Sequence, residues 1–237
     1  NCLALRAKFS PLFTDNYLHL MQYGLRNEEI YDSLLKELMA YFTLYMVARP
    51  WAEQHAWTVN LNTPVVANLF VSGSSLTESV VGRVFTQDVK EPEENTLYST
   101  MLCKGQEPRY SVVPIPGASP AQWVEEFYKQ SEQRTARCIE LPDECYTMVT
   151  AQPDADEEWL NSLNQEKMAH LEENENTRVL ETRRFRFYCG CTLDRILPTL
   201  KALQEKEKDL FQGENELEIT CPRCAAIYRV TRENLED

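Results

Sequence analysis

The sequence predicts an α+β protein: a main domain with helices and an antiparallel or mixed sheet, an acidic helical linker, and a small C-terminal cysteine-rich domain. Three observations support this prediction. Apolar residues recur with helical spacing in residues 27–49 and 119–128. Short runs of alternating apolar residues, separated by turn residues, occupy much of residues 56–151 and predict neighbouring strands. Four of the eight cysteines form two close pairs within residues 183–237.

The composition is that of a globular chain with a strongly acidic balance. Its 237 residues are 43% hydrophobic and 10% aromatic, which is sufficient for a buried core. The net charge of −13 argues against nucleic acid as a partner. Because no apolar run reaches the ~18–20 residues of a membrane span, no membrane partner is expected either.

The cysteine content bears on the compartment. The opening residues show no secretory signal, and eight cysteines without such a signal indicate a reducing, cytoplasmic environment. An organellar location stays open if a targeting segment precedes the first residue. In a reducing compartment, paired cysteines more often hold a metal or perform redox chemistry than form permanent cross-links.

Residues 1–152 are predicted to form the main domain. Asn27 is expected to cap a long helix that ends at Arg49-Pro50 and carries an apolar residue every fourth position. Ser119, Pro120 and Gln122 predict the start of a second helix through a capping box. The alternating runs predict strands in residues 56–89, 98–102, 110–115, 138–141 and 145–151.

Residues 153–182 are predicted to form an acidic helical linker. Asp154 and Glu157 make a capping box that would start a helix directly after Gln152-Pro153. The apolar face of this helix is narrow, so packing stabilises it little and it is expected to melt early. A solvated helix that only links the two domains is a simpler interpretation than a helix whose melting has a function. Nine acidic side chains stand against Lys167 and Arg178: Asp154, Asp156, Glu157, Glu158, Glu166, Glu172, Glu173, Glu175 and Glu181.

Residues 183–237 are predicted to form a zinc-binding domain. Cys189 and Cys191 follow a short strand, and Cys221 and Cys224 lie at the predicted tip of a hairpin. Two close thiol pairs from distant segments supply the four thiolates that tetrahedral Zn²⁺ prefers. Because so small a module buries little apolar area, one Zn²⁺ bound by these four cysteines would contribute much of its folding free energy.

The spacing of Cys189-Gly190-Cys191 leaves two interpretations open. Structural zinc sites usually place two residues between paired cysteines, whereas thiols one residue apart can also close into a strained, easily reduced disulfide. The residues alone favour a structural zinc site over a redox switch. Six arginines near the sulfurs could offset the charge of the site or line the solvated side of a strand: Arg183, Arg184, Arg186, Arg195, Arg223 and Arg229.

The other reactive residues form no catalytic pattern. Three histidines are too dispersed to predict a metal or acid–base cluster: His19, His55 and His170. Ser131-Glu132 lacks a partnered histidine, and no Gly-rich phosphate loop is present, so the protein is not expected to be an enzyme. Four cysteines are expected to be ordinary free thiols, with a contact between the last two as a lesser option: Cys2, Cys103, Cys138 and Cys145.

Several stretches resemble the heat shock protein 33 family of redox-regulated holdase chaperones. "FRFYCGCT" with Arg195, and "ITCPRCAAIYRV" with Tyr228, are similar to the zinc-binding end of that family. "YKQSEQ", residues 128–133, resembles the Tyr-x-x-Ser-Glu-Gln signature of its main domain. "LLKELMAYFTLYM" and "QPDADEEWL" resemble its first long helix and its step into the linker.

The resemblance implies an ATP-independent holdase that binds unfolded or misfolded client proteins under oxidative stress. In the reduced state, Cys189, Cys191, Cys221 and Cys224 would hold one Zn²⁺. Oxidation would form the disulfides Cys189–Cys191 and Cys221–Cys224, release the zinc, unfold the small domain and linker, and allow a homodimer. The segment between Pro153 and Cys189 is shorter than the linker of the family, which marks a divergent member. The alternative is a constitutive chaperone or interaction subunit that zinc only stabilises.

Overall fold

A computed structural model describes residues 1–50, 52–206 and 210–236. It confirms the α+β class, with a six-stranded sheet, a three-stranded sheet and a two-stranded hairpin within those ranges. The names main domain, linker and module are used below for residues 1–152, 153–182 and 183–237. No helix in the described ranges combines the length and apolar character that a bilayer span requires.

The six-stranded sheet has the order β6-β5-β2-β3-β4-β9 and confirms the strands predicted in the first half of the chain. All neighbours are antiparallel except β4 and β9, which are parallel. Trp57, Val59 and Leu61 of β2 point into the core, as the alternation predicts. The strands are β2 (Glu53–Leu61), β3 (Ala67–Ser74), β4 (Ser79–Phe85), β5 (Thr96–Cys103), β6 (Arg109–Pro114) and β9 (Arg186–Phe187).

Two N-terminal elements precede the predicted ones. Strand β1 (Cys2–Lys8) pairs with β8 (Cys145–Ala151), which also pairs with β7 (Ala136–Leu141) to form the three-stranded sheet. Helix α1 (Ser10–Gln22) begins with a proline in its first turn, where the missing N–H costs nothing. Its C-terminal half lies next to β9.

Helix α2 (Glu29–Val47) packs between the two sheets and is buried over most of its length. Glu28, and not Asn27, occupies the N-cap position, and its side chain makes no capping bond. Close packing is visible on strands β3 and β4. A β-carbon on Gly73 or Gly82 would lie within 3.0 Å of Met46 or Leu35 of α2 respectively.

Helix α3 (Pro120–Phe127) is capped by Ser119, as predicted, with the Ser119 hydroxyl accepting from the Gln122 amide. A short π-helical turn, Tyr128–Glu132, continues it and ends at Gln133 with φ of +54°. This turn contains most of the "YKQSEQ" stretch. It aims Glu132 at Arg49, whose guanidinium donates to it at 2.6 Å.

The suggested contact between Cys138 and Cys145 is wrong. In the β7–β8 register Cys138 pairs with Met148, and Cys145 pairs with Leu141. Cys138 packs into the main core, whereas Cys145 belongs to a second apolar cluster beneath the linker. The two side chains therefore point to opposite faces of the sheet, because side chains alternate along a strand.

The linker contains three short helices instead of one: α4 (Glu157–Asn161), α5 (Gln165–Ala169) and α6 (Leu171–Asn174). Asp156, and not Asp154, caps the first of them. Four linker residues are buried against the three-stranded sheet: Leu160, Leu163, Met168 and Leu171. The narrow apolar face of the linker is thus packed against the main domain. Beyond it, Val179 and Leu180 are exposed in a stretch without helix or strand that leads into the module.

The module contains α7 (Leu193–Gln204), the predicted hairpin of β10 (Glu216–Thr220) and β11 (Ile227–Thr231), and α8 (Glu233–Glu236). Its own apolar cluster is small and contains Leu200, Phe211, Val230 and Leu235. A cluster of this size supplies little of the burial that an independent fold needs, so the module requires further stabilisation.

Candidate metal centre

Two chain reversals present the four cysteines of the module. Cys189 and Cys191 follow β9 and flank Gly190, whose φ of +69° reverses the chain between the two thiols. Glycine fits this left-handed conformation without strain. Cys221 and Cys224 lie in the turn between β10 and β11, which the Cys221 amide closes by donating to Ala226.

The four sulfur atoms converge, and each lies within 4.8 Å of the others. Sγ of Cys189 is 3.8 Å from that of Cys221, and Sγ of Cys191 is 3.5 Å from that of Cys224. A tetrahedron with metal–sulfur bonds of about 2.3 Å has edges of about 3.8 Å, whereas a disulfide bond measures about 2.05 Å. The four cysteines are free, and their spacing fits a metal ion that takes four thiolates.

Mutual hydrogen bonding of the thiols already favours thiolate at one position. Bonds from Cys189 and then Cys224 hold the pKa of Cys221 far below its ordinary value. The same bond to Cys221 raises the pKa of Cys189 to about 12. Because all four sulfurs bind a metal as thiolates, binding must displace the remaining protons.

Module side chains hold the Cys189–Cys191 half of the cluster. The Tyr228 hydroxyl donates to the Cys191 carbonyl at 2.9 Å and lies 3.0 Å from its sulfur. Arg195 donates to the Gly190 carbonyl at 2.7 Å. Arg223 reaches the Cys189 carbonyl at 3.5 Å and also binds Ser72 Oγ on β3.

Two main-domain side chains hold the Cys221–Cys224 half. Arg83 on β4 donates to the Cys221 carbonyl at 2.8 Å, and Nε2 of His19 on α1 lies 2.8 Å from the Cys224 carbonyl. His19 is one of three histidines that lie far apart in the sequence, and no sequence pattern points to Arg83. These contacts join residues 138 and 205 positions apart, which no local pattern encodes.

The cluster lies against the main domain and is not isolated within the module. Strand β9 extends the six-stranded sheet, with the amides of Arg186 and Tyr188 donating to Glu78 and Val80. Cys221 and Cys224 belong to the same apolar cluster as the main core, together with Phe187 and Ala226. The site therefore lies at the junction between the module and the main domain.

Two of the other arginines and two of the histidines singled out by sequence make contacts away from the sulfurs. Arg183 pairs with Glu78, and Arg229 is exposed beside Glu216 and Glu218. His55 is buried against Glu53, and burial lowers its pKa to about 4. His170 pairs with Glu173 in the linker. Neither of these two histidines joins the sulfur cluster.

Residues 140–231 match the family model described as Hsp33 protein. Curated relatives are each named 33 kDa chaperonin. That of Nostoc punctiforme is 39% identical over 56 residues, which are 23% of this chain and 19% of the relative. That of Nitrosococcus oceani is 23% identical over 159 residues, 58% of this chain and 55% of the relative. The matches thus span from about a fifth to about half the length of these relatives.

A solved structure has the same fold over nearly the whole chain. The 33 kDa chaperonin (heat shock protein 33 homolog) of Thermotoga maritima superposes with a TM-score of 0.76 at 15% identity. The superposition covers 99% of this chain and 92% of that one. Because so low an identity carries information on the fold alone, this similarity supports a shared architecture and no functional role.

Proposed function

The chain belongs to the Hsp33 family, and from that premise we propose that it is an ATP-independent holdase chaperone that oxidation switches on. The family is one of chaperones and not of enzymes. The observation that carries the proposal is the convergence of four free thiols at the junction between module and main domain. The cytoplasmic location, the division at residues 152 and 182, and homodimerisation of the oxidised form are further parts of the proposal.

In the reduced state, Cys189, Cys191, Cys221 and Cys224 hold one Zn²⁺. A purely sulfur donor set with nearly tetrahedral spacing suits Zn²⁺ better than a harder ion such as Mg²⁺ or Ca²⁺. Bound zinc supplies cross-links that the small apolar cluster of the module cannot replace. The reduced module is thereby kept folded on the main domain.

Oxidation removes the ligands. Two molecules of hydrogen peroxide oxidise the two thiolate pairs to Cys189–Cys191 and Cys221–Cys224, with four protons taken up, four waters formed and Zn²⁺ released. Each disulfide forms as one pair of electrons passes from two sulfurs to one peroxide. Two disulfides within close pairs no longer cross-link the two halves of the module, which are then joined only by its small apolar cluster and by hydrogen bonds such as that from Tyr228 to Cys191.

Loss of the module enlarges an apolar surface on the six-stranded sheet. Val81 is fully buried on the sheet face that carries Ser72 and Arg83, both of which contact the module. In the strand register, the same face continues to Tyr98 and Val112, which are already exposed. Unfolding of the module joins these areas into a surface for the apolar segments of unfolding clients.

The experiment follows zinc and chaperone activity together. Reduced, zinc-loaded protein is treated with hypochlorite, or with peroxide and mild heat, and zinc release is measured beside suppression of client aggregation. Both are expected to rise together. A Cys189→Ser/Cys191→Ser variant should neither hold zinc normally nor respond to oxidant. Cys103→Ser, which removes a half-buried thiol outside the cluster, should behave as the wild type.

Two results contradict the switch. Zinc that stays bound after oxidation, or leaves without any gain in holdase activity, excludes it. A reduced protein that already suppresses aggregation fully favours the constitutive alternative. That alternative has one structural observation in its favour: the short linker is held against the main domain by Leu160, Leu163, Met168 and Leu171.

A further inference from the structure

We propose that the main domain is part of the metal centre, with His19 and Arg83 as positioning residues for the Cys221–Cys224 turn. Metal retention and docking of the module then depend on each other. The inference rests on the proposed binding of a metal by the four thiols, and it adds the residues outside the module that control it.

Side chains fix the backbone of both cysteine pairs. For Cys221 and Cys224, two of these side chains come from the main domain. The Cys221 carbonyl accepts from both Arg83 and the Ala225 amide, so both of its lone pairs are used. The Cys224 carbonyl is an acceptor only, so His19 presents a protonated Nε2 to it. The turn that carries two ligands is thus bonded directly to β4 and α1.

The two main-domain side chains are themselves held in place. The His19 ring lies between Tyr23 and Phe187, at centroid distances of 5.1 and 5.2 Å. The Arg83 guanidinium lies over the Phe85 ring at 4.5 Å. Since packing restricts their rotamers, neither contact must be ordered anew when the metal binds, and that is the condition for a supporting group to be effective.

Burial gives the second argument. Cys221 and Cys224 are only 5% and 1% exposed, whereas Cys189 and Cys191 are half-buried. The apolar cluster of the module contains none of the four cysteines. Cys221 and Cys224 belong instead to the apolar cluster of the main core, so the main domain contributes to shielding this pair, and undocking would expose these sulfurs to water, chelators and oxidants.

Docking of the module and binding of the metal are thermodynamically linked, so each must affect the other. If docking favours the geometry that binds the metal, then bound metal must favour docking by the same factor. The β4–β9 pairing is the visible measure of docking, through the amides of Arg186 and Tyr188. Loss of the metal should therefore weaken two hydrogen bonds that involve no metal ligand.

The test uses the whole 237-residue chain, reduced, loaded with zinc and kept free of oxidant. Transfer of zinc to a chromophoric chelator is timed for the wild type, Arg83→Met and the matched control Arg229→Met, whose arginine is exposed in the module. Arg83→Met should release zinc about 10- to 100-fold faster, the usual effect of losing a supporting contact. Arg229→Met should match the wild type, and Arg83→Lys, which keeps a donor, should fall between.

A second variant and a second measurement distinguish the proposed effect from simple misfolding of Arg83→Met. His19→Phe keeps a ring between Tyr23 and Phe187 but removes the donor, and it should also speed zinc release. Hydrogen exchange at the Arg186 and Tyr188 amides should accelerate in both variants and in zinc-free wild type. Wild-type release rates in Arg83→Met and His19→Phe, or full amide protection without zinc, overturn the inference while leaving the switch intact. A wild-type chain that binds no zinc overturns both proposals.

Discussion

The Tyr228 hydroxyl shows how a single residue can tune the candidate centre. It contacts both the carbonyl and the sulfur of Cys191, and burial together with this bond raises its pKa above the ordinary value. The hydroxyl therefore keeps its proton at neutral pH and donates. A donor to a thiolate stabilises the charged form that binds metal.

Replacing Tyr228 with Phe removes this donor and keeps the ring. We expect zinc affinity to fall roughly tenfold, because a ligand sulfur loses its supporting hydrogen bond. Competition with a chelator of known affinity measures the change. Tyr17→Phe, at an exposed tyrosine on α1, is the control and should have no effect. Unchanged affinity in Tyr228→Phe would show that the hydroxyl contact is incidental.

At the scale of elements, Glu132 explains what the "YKQSEQ" stretch contributes. The π-helical turn brings its carboxylate to Arg49 at 2.6 Å and to the Tyr45 hydroxyl at 3.2 Å. Arg49 also donates to Glu53 at the start of β2. The motif thus ties the end of α3 to α2 and the large sheet, which is a structural role.

Glu132→Ala leaves the largely buried Arg49 with one carboxylate fewer. We expect the free energy of unfolding to fall by roughly 2–3 kcal/mol, since Arg49, although still paired with Glu53, and the buried Tyr45 hydroxyl both lose a charged hydrogen-bond partner. Denaturant titration gives the value. Lys129→Ala, which breaks a surface pair with Glu126, should cost less than about 1 kcal/mol. Equal effects of the two substitutions would contradict the structural role.

Glu37 on α2 makes the stability of the main domain depend on pH. Burial raises its pKa to about 7, although the Ala121 amide at the start of α3 donates to it at 3.1 Å. The folded state therefore favours the protonated acid. The cost of ionisation is absent below the unfolded pKa near 4.5, and it is fully present above pH 7.

Glu37→Gln should consequently be more stable than the wild type at pH 8, by on the order of 2–3 kcal/mol. The difference should shrink as pH falls and disappear near pH 4. Thermal unfolding across this range measures it, with Glu29→Gln in the exposed first turn of α2 as control. If the difference in stability between Glu37→Gln and the wild type did not change with pH, ionisation of Glu37 would be excluded as its cause.

Whether an element could be predicted from the sequence depends on how far apart its interacting residues lie along the chain. The hairpins β7–β8 and β10–β11, and helix α3 with its Ser119 cap, were predictable because their signals lie within a few residues. Strand β1 was not, because its partner is at the other end of the main domain, with Cys2 opposite Ala151. The cysteine spacing pointed to the four sulfurs that the fold brings together. The contacts of Arg83 and His19 with it depend on tertiary docking.

At the scale of the whole molecule, one junction brings together the module, the sulfur cluster and the outer face of the six-stranded sheet. The main domain has a large core of its own, whereas the separate apolar cluster of the module has four buried residues among those described. Removing zinc by chelation under reducing conditions should therefore make the module sensitive to protease, while the main domain keeps its cooperative unfolding transition. If the main domain lost its cooperative transition together with the module, the metal would be stabilising the main domain as well.

Zinc stoichiometry by native mass spectrometry tests the central claim most directly. The reduced wild-type chain should carry one zinc ion, and a Cys221→Ser/Cys224→Ser variant should carry none, while Cys103→Ser keeps it. A reduced wild type without metal, or a double variant that still binds one zinc, would contradict a centre built from sulfurs of both turns.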